Sequence, residues 1–214
     1  MLLLASLALA VDPVDVGVIK NSDIKVVQKV LYTKEDKLEL GAALGAMPFD
    51  GFTFAPQLAL SGTKFFSDTV GVEVHVGGGY GLKTARYKTL ESPAYGVAVE
   101  AYRYLAHAQA DIQWSPIYAK MNLFGSKILH HEYYVLAGAG VTLEQSVLPA
   151  GQIAIAPTVP VGLGTRVWVG KNLAIRGEIR DNLMIEHRAQ TDTTAFKQNV
   201  ALTLGVGIYN GGAK

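Results

Sequence analysis

Cysteine is absent from the 214 residues, which excludes disulfide bridges, thiolate metal ligands and a cysteine nucleophile. A long apolar run is missing as well. The longest, residues 1–11, falls short of the roughly 20 residues that a membrane-spanning helix requires. No block of one charge stands out either: 19 Lys and Arg face 18 Asp and Glu, a formal net charge of +1. The electrostatic footprint of a nucleic-acid binder is therefore missing, and no nucleic-acid partner is expected. What remains is a chain that is 50% hydrophobic without a helical span, which leaves a water-soluble core or a sheet that crosses a bilayer.

Alternation decides between these. In 37–47, Leu38, Leu40, Ala42, Leu44 and Ala46 alternate with Lys37, Glu39, Gly41, Ala43 and Gly45. In 69–79, Val70, Val72, Val74 and Val76 alternate with Gly71, Glu73, His75 and Gly77. The same pattern recurs in 53–61, 109–123, 130–143, 154–169, 173–185 and 199–209. A strand has period two, so each segment owns one greasy face and one small or polar face, and each is long enough to cross a bilayer at a tilt. The pattern predicts an all-β fold: an eight-stranded antiparallel transmembrane β-barrel over 37–210.

Around that barrel, residues 1–10 read as the apolar part of an export signal without its basic flank, and 11–36 as a periplasmic lead-in. Pro56 weakens the second strand, because it cannot donate to a ladder. Ser115-Pro116 mark a change of parity and predict a bulge in the fourth strand. Tight turns are expected after strands two, four and six, and longer loops after three, five and seven, with both termini in the periplasm. The short connection at Asp50 is the exception. The long third connection carries Tyr80, Tyr87, Tyr95, Tyr102 and Tyr104, a candidate surface for contact with a partner protein or, equally, a self-packed cap.

Arg176, Glu178 and Arg180 in the seventh strand fix which face meets lipid. An outward Arg near the midplane costs about 2–4 kcal/mol, so both arginines must point inward. Inside, such charges need partners. Glu39, Glu73, Asp111 and Glu178 are the acidic candidates, and Lys120, Arg166, Arg176 and Arg180 the basic ones. Eight strands enclose just enough room for side chains, so a filled interior is expected. Inward glycines such as Gly41, Gly77, Gly164 and Gly207 make room for these long residues. A soluble, lipocalin-like barrel would invert the arrangement, packing the apolar face inside. Phe65, Phe66, Trp114, Tyr118, Tyr133 and Trp168 are candidates for interfacial aromatic girdles.

Catalytic and metal chemistry find little footing, and no catalytic residue, metal or cofactor is expected. His130-His131-Glu132 places its two imidazoles on opposite faces of a strand. His187, Thr191 and Asp192 share a polar loop without a serine, His107 and Ser92 are uncommitted, and Gly125-Ser126-Lys127 lacks the spacing of a phosphate loop. His75 beside Glu73 reads as an interior polar pair.

Val26-Val27-Gln28-Lys29 before Lys37-Leu38-Glu39-Leu40, then Trp114-Ser115-Pro116-Ile117-Tyr118-Ala119-Lys120, Ala137-Gly138-Ala139-Gly140-Val141, Gly162-Leu163-Gly164-Thr165-Arg166 and 173–181 come in an order that resembles the myxobacterial-type outer-membrane β-barrel domain proteins. The resemblance spans the chain from about Val26 onward. It implies a location in the bacterial outer membrane among outer-membrane lipid and lipopolysaccharide. It further implies a role in envelope machines, including gliding-motility assemblies, and offers no catalytic residue. The expected function is a structural or assembly component that contacts other envelope proteins through its loops or lead-in. A small-solute porin and a lipid-modifying enzyme are the alternatives.

Overall fold

The computed structural model describes residues 32–97, 99–123, 127–147, 151–188 and 192–211, all within a unit spanning Leu31–Lys214. The expected signal segment and most of the lead-in lie outside the described residues. The strands are β1 (Leu38–Met47), β2 (Thr53–Phe65), β3 (Val70–Gly79), β4 (Leu82–Lys83), β5 (Tyr102–Leu123), β6 (Lys127–Ser146), β7 (Ile153–Trp168), β8 (Leu173–Arg188) and β9 (Thr193–Tyr209). One short helix, α1 (Ala85–Glu91), lies between β4 and β5.

Every ladder is antiparallel, and β1 pairs with both β2 and β9, which closes eight strands into a ring. The two-residue β4 is the ninth strand and adds to β2 outside that ring. Register keeps the two faces apart all the way round. On β3, Val70, Val72, Val74 and Val76 are exposed, while Glu73 and His75 between them are buried. On β8, Arg176, Glu178 and Arg180 are buried and Ile175 and Ile179 exposed. Such an inverted barrel is stable only with hydrocarbon outside, because an apolar wall this extensive gains nothing in water. The water-soluble arrangement is thereby excluded.

Pro56 faces outward within β2, opposite Ala46, and the strand continues past it. A register shift between Trp114 and Ile117 is the bulge expected at Ser115-Pro116. A second shift, between Tyr104 and Ala106, is one that the residue pattern does not announce.

The end at which β1 starts and β9 finishes has short connections, 66–69 and 169–172, as periplasmic ends of such barrels do. At the other end the expectation fails in part. Long loops were expected after the fifth and seventh barrel strands, yet only 147–152 and 189–192 separate β6 from β7 and β8 from β9. Here the strands run on past the bilayer as paired ribbons. Their inward residues, Glu144, Ser146 and Glu186, are polar, which makes ordered strand look like loop.

The one long connection at this end, between β3 and β5, has structure of its own. Thr84 caps α1 by accepting from the Tyr87 amide at 3.4 Å. Tyr87 packs in an apolar cluster with Ala101, Val147 and Phe52, so three outer connections share one small core.

Candidate functional site

Why the interior fills becomes plain from its layers, starting at the end with the short turns 66–69 and 169–172. Phe65, Trp168 and Tyr209 are inward residues at the last paired positions of β2, β7 and β9, and they form an aromatic floor with Tyr32 and Tyr118 packed against it. Tyr32 stacks on Trp168 with ring centroids 5.3 Å apart, and Phe65 on Tyr209 at 6.1 Å. Three residues expected in an outward girdle, Phe65, Tyr118 and Trp168, are thus interior ones. Phe66, Trp114 and Tyr133 do face out. The rings close the floor by packing on one another, while the hydroxyls of Tyr209 and Tyr118 find Glu39 at 2.9 Å and His130 at 2.6 Å.

Lys34 enters beside this floor. Its ammonium lies 2.5 Å from Glu132 Oε2 and 3.1 Å from Ser115 Oγ, and 4.8 Å above the Phe65 ring. Burial pulls the Lys34 ammonium below the usual lysine range, against the opposing pull of Glu132. The lead-in residues next to β1 therefore tie into the barrel.

Above the floor sits a continuous ion network. Arg166 touches Glu39 at 2.9 Å and Glu132 at 2.7 Å, bonds Gln113, and lies 4.1 Å over the Tyr134 ring. Arg176 donates to Glu73 at 2.8 Å, Glu178 at 3.1 Å, Ser61 at 3.0 Å and Tyr134 at 3.2 Å, and reaches Glu39 at 3.4 Å. Arg180 donates to Glu178 and Glu73 at 2.9 Å, and to Asp111 and Gln109 at 2.6 Å. Four cations, Lys34 and the three arginines, meet five carboxylates, Glu39, Glu73, Asp111, Glu132 and Glu178. Each is nearly dry, and shared partners hold each guanidinium in a multidentate fork.

Higher still, His75 Nδ1 meets His107 Nε2 at 2.9 Å, and His107 Nδ1 meets the Tyr104 hydroxyl at 2.6 Å. His75 was expected to pair with Glu73; its partner is His107, because Glu73 is taken up by two arginines. Thr142 and Thr158 bond at 2.8 Å, and Gln109 donates to Asn182 at 2.7 Å. At the outer rim Lys197 gathers Glu144 at 3.1 Å, Glu186 at 3.2 Å and Asp50 at 3.4 Å. A cavity of 20 Å³ beside Ser61, His75, Arg176 and Glu178 holds about one water.

Of the eight residues expected in an interior cluster, the structure brings together Glu39, Glu73, Asp111, Arg166, Arg176, Glu178 and Arg180. Lys120 does not join them. Its parity is inward, but it lies opposite His130 where the β5–β6 ribbon runs beyond the end of β3, and it is exposed. Glu132, Tyr134, Gln109, Gln113 and Lys34 take part without having been singled out for it. Glu132 and Tyr134 were findable, since outward Tyr133 between them sets their parity. Lys34 carries no such signal.

The tyrosines divide. Tyr87, Tyr102 and Tyr104 are buried, and only Tyr80 and Tyr95, 46% and 65% exposed, could meet a partner. Tyr102 and Tyr104 are inward positions of β5, so they do not belong to the connection. His130 turns inward to Tyr118 at 2.6 Å while His131 lies edge-on to Tyr133, so the two imidazoles diverge. Among the described residues no group of three His, Cys, Asp or Glu could hold a metal. His187 and Asp192 meet at 3.4 Å in open solvent, 64% and 94% exposed.

No protein-family model and no curated protein matches this sequence. Among solved structures, the chain is similar to the N-terminal β-barrel domain of Pseudomonas aeruginosa OprF: TM-score 0.53, 13% identity, 82% of this chain and 98% of that one covered. Neisserial surface protein A gives a TM-score of 0.47 at 11% identity, with 80% of this chain and 95% of the other covered. The OprF likeness concerns the fold alone, and it agrees with the apolar outer wall: this chain is an eight-stranded β-barrel of the bacterial outer-membrane type.

Proposed function

We propose that this barrel is a non-enzymatic structural or assembly component of a cell-envelope complex, engaged through its outer connections and its periplasmic lead-in. The supporting observation is the filled lumen. The aromatic floor, the Arg–Glu network and the His75–His107–Tyr104 chain follow one another along the axis, and a buried charge cluster so fully paired leaves no reason for solute to pass. A protein whose interior serves only to hold it shut has its outer surfaces left for work. The resemblance carried by 26–29, 37–40, 114–120, 137–141, 162–166 and 173–181 extends this reading to assemblies of the gliding-motility type.

Purified protein in planar bilayers should show no ohmic conductance above the bare membrane. A steady single-channel current would instead favour the porin reading. The decisive experiment is affinity purification from the native envelope, in which a stable co-purifying set is the expected result. Recovery of the barrel alone, or altered acyl chains on lipid A after expression, would overturn the assignment.

A further inference from the structure

Strand parity that carries Arg176, Glu178 and Arg180 into the lumen carries the next residue, Asp181, to the outside. Its ladder partners are Val161 on β7 and Val200 on β9, and Ile179 and Leu183 flank it along β8. Between the two rims it is the one charged side chain among the described outward positions. Its Oδ1 is sealed within the wall and has no hydrogen-bond partner. Eight residues separate it from Leu173 at the periplasmic turn, a rise of about 20 Å along the axis for strands tilted by about 40°. The apolar band of such a barrel is about 25 Å tall, so Asp181 falls in its outer half. Sinking the barrel until Asp181 reached water would put Ile185, Ile155 and Phe196, exposed at 54%, 66% and 67%, into water with it.

We propose that the wall around Asp181, on β6 to β9, is an intramembrane docking face for another protein that presents a lysine or arginine to this carboxylate. Charge selects the occupant. A lipid phosphate would be repelled, whereas a basic side chain pairs with a half-buried carboxylate otherwise left in hydrocarbon. A metal ion needs several oxygen ligands, and no second acid faces out beside Asp181 among the described residues. The wall is also indented there. One groove of 400 Å³ lies over Gly177 next to Thr165 and Tyr133, and another of 420 Å³ lies against Val161 and Asp181 itself. Across the barrel the wall at Leu60 has a smaller groove, of 270 Å³, but the outward side chains around it are apolar, and no carboxylate stands among them.

This inference rests on the assembly role and adds the contact through which it is made. Photoreactive benzoylphenylalanine placed at Leu163 or Ile179 in cells should form a discrete protein adduct, and the same probe at Leu60 or Val74 should not. Asp181→Leu should lower the adduct at least five-fold and Asp181→Glu should keep it, with the heat-dependent gel shift of the folded barrel unchanged in both. Should Asp181→Leu not fold, Asp181→Asn carries the same expectation. No adduct, an adduct indifferent to position 181, a lipid adduct, or an adduct of twice the chain's own mass would each overturn it. Affinity purification from the same cells separates the two levels: a co-purifying set without wall adducts sinks this docking face alone, and no co-purifying set sinks the assembly role with it.

Discussion

Arg176 holds two carboxylates, a serine and a tyrosine at 2.8–3.2 Å from one guanidinium, and Glu39 a little farther off. Truncating it leaves Arg180 as the one cation in contact with Glu73 and Glu178, beside the neutral hydroxyls of Thr63 and Tyr134. Removing one partner from a buried ion cluster costs about 3–5 kcal/mol, so Arg176→Ala should unfold at correspondingly lower urea in a refolding titration in detergent or vesicles. Arg176→Lys should lose a comparable fraction, since one ammonium cannot span the fork; retention of wild-type stability in either variant would mean the network is not what holds the lumen. Small residues set the same limits from the opposite side. A Cβ at Gly164 would lie 2.1 Å from the Tyr134 ring, the ring that stacks on Arg166. Gly164→Val should therefore displace Tyr134 and destabilise the barrel by about 1–3 kcal/mol, readable as a lower midpoint in heat-dependent gel migration. Gly177, whose Cβ would meet nothing nearer than 3.6 Å, should accept alanine without such a loss.

At the level of strands, legibility followed the membrane. Where lipid lies outside, as in β3 and β8, alternation of Val70–Val76 against Glu73 and His75, or of Ile175 and Ile179 against Arg176 and Arg180, exposes both face and register. Beyond the bilayer the outer face no longer has to be greasy, and the ends of β6, β8 and β9 merge by composition with loops. The tyrosines were misplaced for a related reason: the shift at Leu105 breaks the parity that would have joined Tyr102 and Tyr104 to His107. Seven of the interior charges followed from the cost of burying them in lipid, but Lys34 depends on which elements meet inside the lumen and the histidine chain on the register of β3 against β5, and one-dimensional periodicity holds neither. The bulge at Ser115-Pro116 offers a test at this scale. Deleting Pro116 should take out the extra residue and restore continuous alternation with Trp114 and Ile117 outward and Ser115 and Tyr118 inward, so that Tyr118 keeps its 2.6 Å contact with His130. Retained refolding and an unchanged heat-dependent gel shift are the expected outcome; loss of both would show that the ladder needs the bulge itself.

The molecule as a whole has a direction, and the missing cysteines make it measurable without background. An even number of strands returns the chain to the end it started from, so the short turns 66–69 and 169–172 share an end with both termini of the ring. The connection that carries α1 lies at the opposite end, with Tyr95 65% exposed. Outer-membrane barrels have short turns in the periplasm and longer loops outside. A cysteine at Tyr95 should then react with a membrane-impermeant maleimide on intact cells, while a cysteine at Lys171 should react only after the outer membrane is permeabilised. Both positions lie in exposed connections, so neither substitution disturbs the ladder. Labelling of position 171 on intact cells would place the turns outside and reverse the barrel, and with it the assignment of the lead-in and the Lys34 contact to the periplasmic side.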